Sequence, residues 1–189
     1  MSDYFPFALA FFSSAVAPGA DTMLILSRAI SDRKLAIAAA AGITTGKVLM
    51  VTLAYFGLAA ALSASEELFT AVKVLGAGFL IYKAFSTWNR KTQGAKVSGT
   101  GDFFGALAIG FSNPQPLAFY ISIMPLVVAS TQLPILLLIV VFGFAIVSAI
   151  YIGLAQKLSA WLNVSQNLSK VNRVLAAVFL VLAVIVITR

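Results

Sequence analysis

Six apolar stretches of membrane-spanning length constrain this chain more than any other feature. A bilayer core is about 30 Å thick, so a helix needs about 20 predominantly apolar residues to cross it. Inside lipid, backbone N–H and C=O groups find no water, and a helix satisfies them internally. The sequence therefore predicts an all-α membrane protein with six transmembrane helices, over residues 4–26, 35–62, 68–88, 103–128, 134–153 and 171–188.

The low content of charged residues supports this class. Only 10% of the 189 residues are charged and 61% are hydrophobic, whereas about a quarter of the residues in a soluble domain are charged. The net charge of +7 would suggest a nucleic-acid partner in a soluble protein. Basic and aromatic residues do not interleave as a nucleic-acid surface requires, so we expect no such partner and attribute the charge to cytoplasmic connections.

The chain contains no cysteine and no histidine. Their absence excludes disulfide bonds, thiol redox chemistry and soft-metal sites. It also leaves few groups for acid–base or nucleophilic catalysis. We therefore expect no enzyme, no cofactor and no metal site, and any proton coupling has to use carboxylates.

The connections between the apolar segments alternate in charge. Connections 28–34, 83–102 and 156–173 are basic, whereas 63–67 carries only Glu66 and Glu67 and 129–133 carries no charge. Basic connections stay in the cytoplasm, so both termini are predicted on the periplasmic side of a bacterial inner membrane. The residues Ala15-Val16-Ala17 look like a signal cleavage site, but no basic residue precedes them, and we expect no cleavage.

This topology gives the two halves of the chain opposite orientations, as in transporters built from inverted repeats. The predicted halves are residues 1–88 and 102–189, joined by a cytoplasmic linker at 89–101. Segment 1 is interrupted by Pro18-Gly19-Ala20-Asp21, and segment 4 by Asn113-Pro114-Gln115-Pro116. Matching interruptions in the first helix of each half predict a binding site at the membrane midplane. The alternative is a pair of ordinary proline kinks.

Asp21 is the only acidic residue within a predicted span. A charge at that depth costs several kcal/mol and requires a partner. Lys47, in the middle of the second segment, is too deep to reach either surface easily and is the predicted partner. Two structural alternatives remain open, a helix-capping role for Asp21 and a purely structural ion pair.

The two interruptions together predict a site for a zwitterion. Asn113 suits an N-cap and Pro114 the first helical position, so helix N-termini would point to the midplane from both halves. Such ends favour a carboxylate, whereas Asp21 favours an ammonium group. Tyr120 follows the second interruption and is a candidate for the cavity lining, although packing is the alternative.

Four motifs in the same order resemble the LysE/RhtB family of bacterial amino-acid exporters. They are Pro18-Gly19-Ala20-Asp21-Thr22, a glycine-spaced helix at 41–46, a run at 72–83 similar to K-x-x-G-A-x-[YF]-L-x-Y, and Asn113-Pro114-Gln115. The resemblance covers most of the chain. It implies export of amino acids or related metabolites, driven by a proton or ion gradient.

The resemblance also assigns site residues: Pro18, Gly19, Asp21, Asn113 and Pro114. Two positions depart from the family pattern, because Ala20 replaces a proline and Gln115 replaces a lysine. Lys47 is unusual at its position and is predicted to supply the missing positive charge. These departures affect the substrate more than the fold.

Three other functions fit the sequence less well than export of an amino-acid-like substrate. A cation or heavy-metal exporter would need more ligands than Asp21 offers. A non-transporting scaffold subunit would tolerate loss of Asp21, and a membrane-embedded enzyme lacks catalytic groups. The glycine pair Gly42 and Gly46 favours close helix packing within the chain, with a homodimer face as the alternative.

Overall fold

The structure is a computed structural model that describes residues 4–88, 103–112, 114–162 and 165–188. Every element in these ranges is helical, which confirms the all-α class. The elements are α1 (Tyr4–Val16), α2 (Ala20–Ser31), α3 (Arg33–Ala64), α4 (Glu66–Trp88), α5 (Phe103–Ser112), α6 (Pro114–Ile123), a 3₁₀ helix (Met124–Leu126), α7 (Leu133–Gly153), α8 (Ala155–Leu162) and α9 (Ser165–Thr188). The predicted linker 89–101 lies outside the described residues.

Four helices of the described chain, α3, α4, α7 and α9, are long and apolar enough to cross a membrane. The bent pair α1 and α2, with 49° between the helices, makes a fifth if it counts as one span. The fourth predicted span instead contains α5 and α6, which have 10 residues each. Neither reaches the length of a bilayer core alone, so the six-span arrangement stays a prediction.

The ends of the helices differ from the predicted segments where polar residues extend them. Helix α3 begins at Arg33, and its N-cap Asp32 accepts a hydrogen bond of 2.7 Å from the Lys34 N–H. Helix α2 continues to Ser31, five residues past the predicted end at residue 26. The short helix α8 lies in a region predicted as a connection. Hydropathy locates the apolar part of a helix, whereas capping decides where the helix ends.

Aromatic side chains fill the centre of the molecule, and other large apolar side chains cover its outside. Phe7, Phe11, Phe144 and Phe179 are each at most 1% exposed. On the outside, Leu75 is 73% exposed. A soluble monomer rarely exposes so much apolar surface. This surface suits lipid.

Small residues allow α3 to pack closely on α5. A Cβ atom placed on Gly46 would lie 3.1 Å from the carbonyl carbon of Gly110, and one on Gly42 would overlap the backbone of α5. The predicted G-x-x-x-G pair therefore packs within the chain. The contacts of α3 with α5 and of α4 with α9 are the most extensive between helices of the described chain.

Candidate functional site

The site is built around the break between α1 and α2. Helix α1 ends at Val16 and α2 begins at Ala20, with Gly19 as an extended N-cap. The side chain of Thr22 closes the break. Its hydroxyl accepts a hydrogen bond of 2.9 Å from the Gly19 N–H and donates one of 3.0 Å to the Ala17 carbonyl. Backbone groups freed at a break inside a membrane need such partners.

Helix α7, from the other predicted half, contributes a further hydrogen bond at the break. The hydroxyl of Tyr151 donates a hydrogen bond of 3.0 Å to the Val16 carbonyl, in the last turn of α1. Because the last carbonyls of a helix have no partner within it, this bond satisfies one of them. The break therefore depends on contacts from both predicted halves of the chain.

Asp21 and Lys47 form the predicted ion pair. Asp21 lies in the first turn of α2, where the helix dipole favours a negative charge. Its Oδ2 atom is 2.5 Å from the Nζ atom of Lys47, in the middle of α3. The side chains are 14% and 8% exposed, respectively. The pairing predicted from the sequence is thus confirmed.

Two further features define the surroundings of this pair. The ammonium group of Lys47 lies 4.7 Å from the ring centroid of Phe144 on α7, within the range of a cation–π contact. The second carboxylate oxygen of Asp21, Oδ1, is buried and accepts no hydrogen bond from the described residues. A buried acceptor without a donor is uncommon and calls for an explanation.

The ion pair lines a cavity of about 330 Å³. This volume lies at the lower end of the roughly 300–1,000 Å³ typical of small-molecule sites. Helices α1, α2, α3, α4, α6, α7 and α9 all contribute to the lining. Its polar side chains are Ser14, Asp21, Thr22, Lys47, Lys83, Thr87 and Asn172.

The predicted site residues do not all lie together in the structure. Pro18, Gly19, Asp21 and Lys47 line the cavity together. Asn113 lies outside the described residues. Pro114 and Gln115 belong to the first turn of α6, and nothing is described of their side chains.

Tyr120, the remaining predicted residue, lies elsewhere. Its side chain is 3% exposed, and it is not among the residues that line the cavity. Its ring packs edge-on against Phe119, with 5.7 Å between the centroids, and Phe119 itself lines the cavity. Tyr120 thus supports the lining from behind in this conformation.

Sequence reasoning missed most of the other lining residues, among them Ser14, Thr22, Lys83, Thr87, Phe144 and Asn172. Lys83 belongs both to the predicted span 68–88 and to the basic connection 83–102, and it lies within α4, which ends at Trp88 as predicted. The spacing of Lys83 and Thr87, four residues apart, places both on one face of a helix, and this signal was available. For Phe144 the sequence of α7, in which almost every residue is apolar, offered no signal.

Similar proteins of two bacteria are described as membrane proteins. The sequence profile of the LysE type translocator family matches residues 12–189. An uncharacterized membrane protein of Pseudomonas aeruginosa is 27% identical over 190 residues, which cover 89% of this chain and 87% of the relative. An uncharacterized membrane protein of Vibrio cholerae is 24% identical over 178 residues, covering 88% and 87%. No solved structure matches the chain.

Proposed function

This chain belongs to the LysE type translocator family, and we propose that it is a secondary transporter that exports amino acids or related small metabolites. The membrane is the bacterial inner membrane, and a proton or ion gradient drives the export. The observation that carries this proposal is the buried Asp21–Lys47 pair on the wall of the cavity. Charged groups within membrane spans usually serve transport, because their burial is costly.

The pair has the chemistry to bind a zwitterion. Oδ1 of Asp21 lacks a donor among the described residues, and a substrate ammonium group would supply one. Lys47 carries the charge that a substrate carboxylate requires. The N–H of Gly19 is already bonded to Thr22, so we assign the carboxylate to Lys47 in preference to this end of α2.

Coupling follows from competition for Asp21. A substrate ammonium group, a proton or Lys47 neutralises the carboxylate, and each stabilises a different arrangement of α2 against α3. A ligand shifts a conformational equilibrium only through such a difference in interaction between states. Asp21 is therefore the group through which the ion gradient and the substrate act on each other.

The proposed architecture is two inverted three-helix halves with both termini periplasmic. Helix contacts support it: α4 packs against α9, its counterpart in the second half, α3 packs against α5, and α7 packs against α1 and α2. The cavity contains residues near the C-terminal end of α4 and the N-terminal part of α9. In the proposed topology these ends are cytoplasmic, so the site would receive its substrate from inside the cell. We retain Asn113, Pro114, Gln115 and Tyr120 as proposed contributors from the second half.

Counterflow in proteoliposomes tests the proposal. Purified wild-type protein, Asp21→Asn and Asp32→Asn would be assayed with labelled amino acids of different side-chain charge. Asp32 is the matched control, because it is an exposed N-cap outside the cavity and asparagine caps a helix equally well. We expect saturable exchange by the wild type and Asp32→Asn, and a loss of roughly tenfold or more in Asp21→Asn, as for a charged hydrogen bond.

Two results would contradict the proposal. One is the absence of exchange of every amino acid by folded wild-type protein. The other is exchange by Asp21→Asn at the wild-type rate, which would fit a structural pair or a scaffold.

A further inference from the structure

A groove on the outside of the molecule runs between α3 and α7. It extends from Arg33 to Val48 on α3 and from Val141 to Ile152 on α7, and its volume is about 650 Å³. We propose that this α3–α7 groove binds a phospholipid, with an acyl chain in the groove and an anionic headgroup on Arg33. In the proposed topology this lipid belongs to the cytoplasmic leaflet. The inference goes beyond the proposed function, because it does not depend on which substrate is transported.

Small side chains make room for this lipid. The walls of the groove include Ala40 and Ala41 on α3 and Ala145 and Ala149 on α7. All of these except the partly buried Ala40 are exposed. The two helices pack against each other, so the groove follows their junction. Because its alanines are exposed, the groove opens to the surroundings of the protein, which in a membrane are lipid.

The chemistry of the groove suits an acyl chain. Its larger lining residues include Ile37, Val48 and Ile152, which are all apolar. The hydroxyls of Thr44 and Thr45 donate hydrogen bonds of 2.7 and 3.0 Å to carbonyls of their own helix. A hydrocarbon chain can therefore lie against both threonines without leaving a polar group unsatisfied.

The length of the groove matches one leaflet of a bilayer. From Ile37 to Val48 a helix rises by about 17 Å, and half of a hydrocarbon core is about 15 Å. Arg33 lies one helical turn before Ile37, about 6 Å further along the axis. A basic side chain thus follows the apolar part of the groove at the level where a headgroup would begin.

The charge at this end of the groove favours an anionic headgroup. Arg33 is the charged side chain among the described lining residues, and it forms no ion pair within the described part of the chain. Exposed Lys34 follows it, whereas the Asp32 carboxylate accepts a hydrogen bond from the Lys34 N–H. A guanidinium can bind a phosphate group through two parallel hydrogen bonds, and basic pockets between helices on the cytoplasmic side bind anionic lipids. A zwitterionic headgroup also carries an ammonium group, which Arg33 repels.

Ser148 is a second, independent indication of an occupant. It lines the groove and is 3% exposed, and its Oγ atom has no hydrogen-bond partner among the described residues. A buried hydroxyl without a partner calls for an explanation. Ser148 lies about 8 Å along the helix from the end of α7 at Gly153, close to the level of the ester groups of a lipid. An ester carbonyl would supply the missing acceptor.

The test compares two lipids that differ only in headgroup charge. Full-length protein in detergent would be titrated with phosphatidylglycerol or phosphatidylcholine that carry identical acyl chains. Native mass spectrometry counts the bound lipids, and thermal unfolding reports the stabilisation that a ligand of the folded state produces. The variants are Arg33→Gln, Arg33→Lys, Ala41→Leu and Ser148→Ala. Unfolding without added lipid shows whether each variant is folded.

Two control variants match these changes. Lys34→Gln removes a positive charge at the same end of α3, but Lys34 does not line the groove. Ala60→Leu adds the same bulk as Ala41→Leu at another exposed position of α3, outside the groove.

We expect the wild type to bind phosphatidylglycerol more tightly than phosphatidylcholine and to unfold at a higher temperature with it. Arg33→Gln should weaken phosphatidylglycerol binding roughly fivefold, as for one basic residue at an anionic headgroup, and Arg33→Lys should retain most of it. Ala41→Leu should weaken binding of both lipids, because leucine occupies part of the groove. Ser148→Ala should cause a smaller loss, and both controls should behave as the wild type.

Three results would overturn the inference. Equal binding of the two lipids by the wild type would reject the anionic headgroup. Unchanged phosphatidylglycerol binding in folded Arg33→Gln and Ala41→Leu would mean that lipid binds elsewhere. A dimer that dissociates in Ala41→Leu, without any change in lipid binding, would assign the groove to a second copy of the chain. Each of these results would leave the proposed transport function intact, because that function is tested by counterflow with Asp21→Asn.

Discussion

Asp21 and Lys47 each lower the free-energy cost of burying the charge of the other. Removing one partner of a buried ion pair leaves an uncompensated charge, which typically costs about 3–5 kcal/mol. We therefore expect Lys47→Met to unfold at a lower temperature in detergent than the double variant Asp21→Asn/Lys47→Met. Thermal unfolding of both singles and the double gives the coupling energy. Strictly additive losses would show that the pair is not coupled in the folded protein.

Thr22 is the residue that closes the break between α1 and α2. Thr22→Val keeps the shape but removes the hydroxyl that bonds Gly19 and Ala17, so we expect a loss of about 1–2 kcal/mol, similar to the loss of other helix-capping hydrogen bonds. Thr22→Ser should lose much less. The measurement is thermal unfolding in detergent.

Thr52 provides the control for this prediction. Within the described part of the chain, its hydroxyl bonds the Val48 carbonyl of its own helix, at 2.8 Å, so Thr52→Val removes a hydroxyl without opening a break. An equal loss in Thr22→Val and Thr52→Val would mean that the cap at Gly19 contributes nothing specific.

At the level of single residues, the sequence revealed the charged side chains that are costly to bury in lipid. Asp21 and Lys47 stand out because a charge in an apolar run has to find a partner. Phe144 does not stand out, because one phenylalanine in an apolar helix looks like any other. Its contact with Lys47 arises only when α3 and α7 pack together, and that packing is not encoded in local pattern.

Among the helices, α4 contains two glycines that differ in their surroundings. A Cβ atom on Gly76 would lie 2.8 Å from the Cα atom of Ser122, whereas one on Gly78 would meet nothing within 4 Å. Gly76→Ala should therefore cost about 1–3 kcal/mol by overpacking α4 against α6. Gly78→Ala should be neutral or stabilise slightly, because alanine favours the helix.

Thermal unfolding of the two variants decides this prediction, and each is the control for the other. Equal unfolding temperatures for Gly76→Ala and Gly78→Ala would mean that α4 and α6 are not in close contact in the membrane protein.

The sequence predicted where the first span is broken, but not the angle between the two helices on either side of the break. Proline and glycine at 18–19 predicted the break in the first span, and the structure places it there. The bend of 49° did not follow from these residues, because it depends on how Thr22 and Tyr151 hold the two ends. Helix α8 was not predicted, although Ala155, Leu158 and Leu162 recur at helical spacing in its 8 residues.

For the molecule as a whole, the charge distribution predicts which connections face the cytoplasm. The chain contains no cysteine, so single cysteines can be introduced without background. Exposed Ser63, near the end of α3, should be periplasmic, and exposed Ser31, at the end of α2, cytoplasmic. A membrane-impermeant maleimide should label Ser63→Cys in intact cells. It should label Ser31→Cys only after the cells are permeabilised. The opposite pattern would invert the topology and reverse the side from which the cavity is reached.

The class of the molecule followed from its apolar runs, because only helices satisfy the backbone in lipid across so many segments. Which helices are neighbours did not follow. In a membrane protein the side chains that face lipid and those that face other helices are both apolar, so the outward Leu75 and the buried Leu80 give the same local signal. Only glycine spacing, as at Gly42 and Gly46, indicated a face for packing.

The bond from Tyr151 to the Val16 carbonyl joins residues 135 positions apart, and this has a consequence for biogenesis. The ribosome delivers α1 and α2 long before α7 exists. Until α7 is inserted, the Val16 carbonyl in the last turn of α1 lacks the hydroxyl that donates to it, at a depth where water is scarce. We therefore expect the nascent first span to remain beside the insertion machinery, or to stay hydrated, until the fifth apolar segment is made. The break between α1 and α2 thus gains its bond to Tyr151 late in synthesis.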